Sequence, residues 1–280
     1  MKRITATTTA IIFFLLIGNA LTAQEHQLVK LWQTDSVMKV PESVLYYPKK
    51  QTLFVSNIDG TEPWGKDGKG SIGKIGADGK IIAIEWVTGL NAPKGMGLHK
   101  KKLYVADMEE VVVIDIKKGT IIEKIKVEGA QGLNDISIDK SGVVYVTDSR
   151  LKKLHRIENG VVTTHLENLK GPNGVLVNKN GLFIVDNGGL YKVQEDKTLT
   201  KIADGMEGGT DGIEQVNAND HIVSCWGGVV YYVKGDGTKQ TLLDTREQKI
   251  NSADIGYNAK KRIVYVPTFW RNSVVAYELK

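Results

Sequence analysis

A chain of 280 residues with 41% apolar and 25% charged side chains has the make-up of a globular protein, which sets aside disordered and fibrous classes. The net charge of +5 falls to +3 once Lys2 and Arg3 leave with an amino-terminal leader, with 35 basic groups against 32 acidic ones. The lysines are scattered beside turn residues (Lys100–Lys102, Lys117–Lys118, Lys152–Lys153, Lys260–Lys261), the pattern of solvated loop charge, so neither nucleic acid nor membrane is expected as a partner of the mature chain.

The leader is read from three features: basic Met1–Arg3, an unbroken apolar run of eight residues from Ala10 to Ile17, and small residues at Ala20–Ala23. The run is too short to span a bilayer, which takes roughly 20 residues, so residues 1–23 are expected to be a signal peptide. The mature protein, from residue 24, is then periplasmic or secreted, and a Gram-negative periplasm suits it best. Cys225 is the only cysteine. With no internal disulfide possible, sheet packing must hold the fold.

His26–Thr34 alternates as a strand but has no hairpin partner nearby. From there short β-rich segments recur: Leu53–Asn57, Leu103–Asp107, Val144–Asp148, Leu182–Asp186, Ile222–Trp226 and Val264–Thr268. The last residues of these segments are 50, 41, 38, 40 and 42 positions apart. A period near forty made only of short strands is the signature of a propeller of four-stranded blades, and six copies predict an all-β, six-bladed β-propeller forming one domain. Ser273–Leu279 is also strand-like, and pairing it with His26–Thr34 would close the ring and remove its exposed edge.

The long first spacing predicts an insertion over Asp59–Lys80, rich in glycine and containing Trp64, read as a long hairpin loop, with lining of the channel mouth as the alternative. Its Gly65–Ser71 stretch lacks the spacing and the following helix of a phosphate loop, and is no calcium loop either. Each later blade opens on a turn: Pro93-Lys94-Gly95, Leu133-Asn134-Asp135, Pro172-Asn173-Gly174, Thr210-Asp211-Gly212 and Asn251–Asp254, with Pro41-Glu42-Ser43 in blade one. Such turns lead into the innermost strands, so Glu42, Asn134, Asn173 and Asp211 are expected to converge on one mouth of the channel. Taken singly, Asx residues are ordinary turn formers. Together they make an oxygen-only set of charge −2, suited to one hard divalent cation: calcium best, with magnesium, manganese or zinc as alternatives.

In these turns the chain resembles the six-bladed family of gluconolactonases, regucalcin and diisopropylfluorophosphatase. Pro41-Glu42-Ser43 is similar to the family's turn bearing a glutamate ligand, Leu133-Asn134-Asp135 to its Asn-Asp turn, Pro172-Asn173-Gly174 to its Asn-Gly turn, and Thr210-Asp211-Gly212 to its Asp-Gly turn; Cys225–Gly228 resembles the segment that follows. The resemblance implies a single divalent metal held by Glu42, Asn173 and Asp211, with Asn134 contacting water or substrate. Lactonase members often carry an arginine two residues before the Asn of the Asn-Asp turn, and here that place is Gly132. Lys94, by position an ordinary surface turn lysine, is the candidate to replace that charge at the substrate.

The activity this implies is metal-dependent hydrolysis of a sugar lactone or related ester by a monomer, with Asp211 as general base, Glu42 and Asn173 fixing the ion, and Asn134 and Lys94 on the substrate. The rival is a non-catalytic propeller that binds a ligand or protein on the same face. The five histidines are dispersed without ligand spacing. Cys225 sits in a strand pattern, the place of a buried inert thiol. Asp107, Asp148 and Asp186 end second strands and are expected to serve turn hydrogen bonds.

Overall fold

The computed structural model describes residues 26–280, so the leader expected over residues 1–23 lies outside the described residues. After β1 (Leu28–Gln33), blade one is β2 (Pro41–Tyr47), β3 (Thr52–Asn57), β4 (Gly70–Gly76) and β5 (Ile81–Leu90). Blade two is β6 (Pro93–His99), β7 (Lys102–Asp107), β8 (Glu110–Asp115) and β9 (Thr120–Lys126). Blade three is β10 (Leu133–Ile138), β11 (Val144–Asp148), β12 (Lys153–Glu158) and β13 (Val161–Leu166). Blade four is β14 (Pro172–Asn178), β15 (Gly181–Asp186), β16 (Gly189–Val193) and β17 (Leu199–Ala203). Blade five is β18 (Thr210–Gln215), β19 (His221–Cys225), β20 (Val229–Val233) and β21 (Lys239–Asp244), and blade six contains β22 (Gly256–Asn258), β23 (Ile263–Pro267) and β24 (Val274–Leu279).

The strands form six antiparallel sheets of four, the sixth completed by β1 on the outer side of β24. The pairing runs from Leu28 opposite Leu279 to Gln33 opposite Val275, so the ends of the chain close the ring as expected. Among the described residues the helical pieces are two three-residue turns, Pro48–Lys50 and Phe269–Arg271.

The first strands of successive blades contact one another around the channel, and a common frame in their sequences explains how. One residue of each frame, Val44, Met96, Ile136, Val175, Ile213 or Ile255, enters the apolar core between two blades, one per core. Full burial of such a side chain contributes about 1.5–3 kcal/mol. Just before it the register of the inner strand shifts, between Pro41 and Ser43, Pro93 and Met96, Leu133 and Ile136, Pro172 and Val175, and Thr210 and Ile213. A bulge re-aims the side chains around it. Two consecutive residues of the frame, such as Glu42 and Ser43 or Asn134 and Asp135, are therefore both buried polar groups of the channel.

The expected insertion is shorter than its composition suggests. β4 occupies Gly70–Gly76, which leaves residues 58–69 as the loop. The glycines that imitate a loop are there for close packing: a Cβ on Gly73 would sit 2.8 Å from both Ile84 O and Met38 Cε. Its two isoleucines, Ile72 and Ile75, are fully buried on opposite faces of the strand, each in a different core between blades.

Candidate functional site

The second residue of each frame forms a ring at one mouth: Glu42, Lys94, Asn134, Asn173, Asp211 and Ala253. Five are buried and Asn173 is half-buried. Gly174 explains why that ring is tight, since a Cβ there would collide with the carbonyl oxygen of Asp211 in the next blade. Asn134, Asn173 and Asp211 are thus on successive inner strands, while Glu42 is set apart from them by Lys94 on one side and Ala253 on the other.

Their electrostatics follow from burial. Desolvation pushes the Glu42 carboxyl up to about 7, with Lys94 pulling the other way. Asp211 is raised well above the usual carboxylate range by burial, then by the charges of Glu42 and Asp254; Lys94 and the Asn173 side chain oppose this. Glu42 Oε2, Asn173 Oδ1 and Asp211 Oδ1 are buried and have no hydrogen-bond partner. A buried polar atom left unpaired costs about 1–3 kcal/mol, more for a charged one, so three from three blades at one mouth call for a ligand. Among the described residues no group of three or more His, Cys, Asp or Glu side chains is arranged for a metal. The set here is two carboxylates and an amide, and that oxygen chemistry fits a hard divalent cation.

Asn134 is held differently. Its Nδ2 donates to Ser149 Oγ at 3.0 Å, and Ser149 Oγ donates to Pro172 O at 2.6 Å, tying it to the turn that carries Asn173.

Sequence reasoning passed over the next residue of the frame. Asp135 Oδ2 accepts from Val175 N at 2.7 Å, bridging blades three and four. The Ser43 hydroxyl donates to Asp254, and Asp254 N donates to Glu42 O at 2.9 Å, bridging blades one and six. Burial, with Glu42 adding, pushes Asp254 up to about 8, and burial with the Asp254 charge raises Asp135 well above its ordinary range. The signal was legible: both residues directly follow the ring position in their turns.

Lys94 corrects the expectation of a surface turn lysine. It is 2% exposed, because its aliphatic stem enters the channel wall rather than solvent. Its Nζ donates to Pro63 O at 2.8 Å and lies 4.2 Å from the centroid of the Trp64 ring. Desolvation lowers its pKa, and the charges of Glu42 and Asp211 resist that. The residue 58–69 loop therefore reaches the mouth in addition to closing its hairpin. The same indole takes the guanidinium of Arg150 at 5.1 Å. Gly132 lies directly beneath: a Cβ there would meet Arg150 Cγ at 2.8 Å and Trp64 Cζ3 at 3.0 Å. The space a side chain at 132 would need belongs to Trp64 and Arg150, neither of which the turn motifs pointed to. In the buried cluster against which Trp64 packs, Phe269 holds φ of 46°, uncommon for a bulky residue, and packs edge-on against Trp226 at 5.6 Å and Trp270 at 4.8 Å.

The expectations for the second-strand aspartates, for Cys225 and for the histidines hold. Asp107, Asp148 and Asp186 accept backbone N–H groups of Asn91 and Ala92, of Gln131, and of Lys170 and Gly171 respectively. Cys225 is buried, and burial pushes its thiol up to about 12. His155 and His221 are buried, His221 pushed down to about 4, and no histidine joins the ring.

Neither the protein-family models nor the curated proteins contain a sequence match to this chain. Solved structures do match in fold. A gluconolactonase from Xanthomonas campestris superposes with a TM-score of 0.68 at 14% identity, covering 88% of each chain. A calcium-binding regucalcin from Agrobacterium tumefaciens gives 0.65 at 15% identity, covering 87% of this chain and 91% of that one. A catalytically inactive virginiamycin B lyase from Staphylococcus aureus gives 0.63 at 13%, covering 91% and 99%. At such identities the likeness is one of fold, and the chemistry rests on the mouth itself.

Proposed function

We propose that this chain is a divalent-metal-dependent hydrolase of a sugar lactone or related ester, acting at the ring of Glu42, Asn173 and Asp211. The observation that carries the reading is the set of three buried, unpartnered oxygens contributed there by three blades. The gluconolactonase and the calcium-binding regucalcin of the same fold support it. Calcium is the best match to an all-oxygen donor set, with magnesium, manganese or zinc as alternatives.

A divalent ion held by these residues would polarise the substrate carbonyl and orient the attacking water. Glu42 and Asn173 serve as fixed ligands. Asp211 takes the proton of the water as general base. Asn134, held by Ser149, orients the substrate. Lys94 and Arg150, both set against Trp64, supply the positive charge for an acid group that Gly132 does not. The reading takes the protein to be an exported monomer.

The test is metal analysis of the purified protein joined to a lactone panel followed by pH-stat. One equivalent of metal and turnover abolished by chelation are expected. Metal-replete protein that consumes no lactone or ester would leave a binding propeller as the better reading.

A further inference from the structure

A second site is carried by the cleft between blades one and two, on the face opposite the mouth. It has a volume of about 540 Å³, within the range of small-molecule pockets. Its wall is apolar: Tyr47 and Ile116 line it, Tyr47 resting on the fully buried Phe54 with ring centroids 5.9 Å apart, and Phe54 lies 5.2 Å from Trp86 behind it. Ile82, 61% exposed, stands at its rim.

Four lysines surround this wall: Lys50, Lys74, Lys101 and Lys117, with no carboxylate among the lining residues. None of the four makes an ion pair among the described residues. Asp115, at the neighbouring turn, is engaged by the backbone N–H groups of Lys117 and Lys118 at 2.8 and 2.9 Å. Lys74 is half-buried with its Nζ 3.6 Å from the Trp86 centroid, so its charge is held over the apolar wall and not released to solvent. The larger cleft between blades two and three is different, since Asp115 and Glu123 stand there among the lysines.

Four unpaired cations around an apolar-walled cleft complement one chemistry. We propose that this cleft binds a small anionic amphiphile, a free carboxylate or phosphate on an apolar or aromatic body, with the body against Tyr47, Ile82 and Ile116 and the head among the lysines. The site is independent of the hydrolase reading.

The test is isothermal titration of the mature protein, in buffer without free divalent cation, with decanoate, with decanol and inorganic phosphate as half-ligand controls. Saturable binding of decanoate is expected, at least tenfold tighter than either control. The double charge reversal Lys50→Glu/Lys101→Glu, at exposed positions, should weaken it tenfold or more, while Arg150→Gln at the mouth leaves it unchanged. Equal binding of decanol, parental affinity in the reversal variant, loss of binding in Arg150→Gln, or no saturable binding below the critical micelle concentration would each overturn the proposal. So would sedimentation with vesicles of equal parts phosphatidylglycerol and phosphatidylcholine in the absence of decanoate binding, which would assign the lysines to a membrane surface.

Discussion

Asp211 and Glu42 carry like charges into one narrow ring, with a single ammonium, Lys94, beside them. If Asp211 is the base, Asp211→Asn should lower kcat by on the order of 10²-fold or more, since positioned proton transfer contributes about 10²–10⁴-fold. The amide keeps an oxygen of nearly the same shape, so metal content should fall less than activity; metal-replete Asn variant turning over like the parent would remove Asp211 from that role. Lys94 makes the opposite kind of prediction. Its ammonium competes with a divalent ion for the same two carboxylates, so Lys94→Met should tighten calcium binding by about tenfold or more while raising KM for acidic substrates. Calorimetry showing unchanged or weaker calcium affinity would mean that Lys94 does not share the ion's charge environment. The fold should tolerate this change, because an apolar side chain of similar volume is often neutral in place of a buried charge.

Among the elements, the loop of residues 58–69 is the one whose role its composition hid. It spans from blade one across blade two, where Lys66 pairs with Glu109, and on to Arg150 of blade three through Trp64. The surface pair contributes little, about 0–1 kcal/mol. Trp64 carries the contact. Trp64→Ala should therefore raise KM severalfold with kcat largely kept, as expected when a group that positions Lys94 and Arg150 is lost but the ring of oxygens is not. A fall in kcat with KM unchanged would show instead that the indole acts on the reacting centre.

For the whole molecule, ring closure and the channel charge set stability. Removing residues 26–34 would uncover the edge of β24, and a lower melting temperature with aggregation is expected; a monomer melting like the parent would show that five complete blades and an open sixth suffice. The channel acids give a pH dependence of definite sign. Glu42 at about 7 and Asp254 at about 8 have folded values above their unfolded ones, and Asp135 and Asp211 shift the same way. Their contribution is complete below the unfolded carboxylate range and is lost as pH rises through about 7–8. Chelated protein should then melt lower at about pH 8.5 than at about pH 5, and added calcium should raise the melting temperature mainly at the higher pH. A chelated protein whose melting temperature rises over that interval would contradict the assignment.

The period near forty and the alternation inside each segment determined the propeller, because four-stranded blades with one buried frame residue each leave no other way to satisfy those apolar positions. The frame also named Glu42, Asn134, Asn173 and Asp211, since residues that open equivalent strands must meet where those strands converge. Asp135 and Asp254 stood in view directly after ring positions, but only the structure shows that the bulge before Ile136 turns Asp135 inward and that Ser43 reaches Asp254 across blades one and six. Composition misread Gly70–Gly76, whose glycines answer to a neighbour's backbone 2.8 Å away and not to a turn. Lys94, Trp64 and Arg150 come from three blades and are separated by 30 and 56 positions in the chain. Their meeting depends on ring closure and on the path of one loop, and no local pattern encodes a contact between side chains that only the curvature of the ring brings within reach.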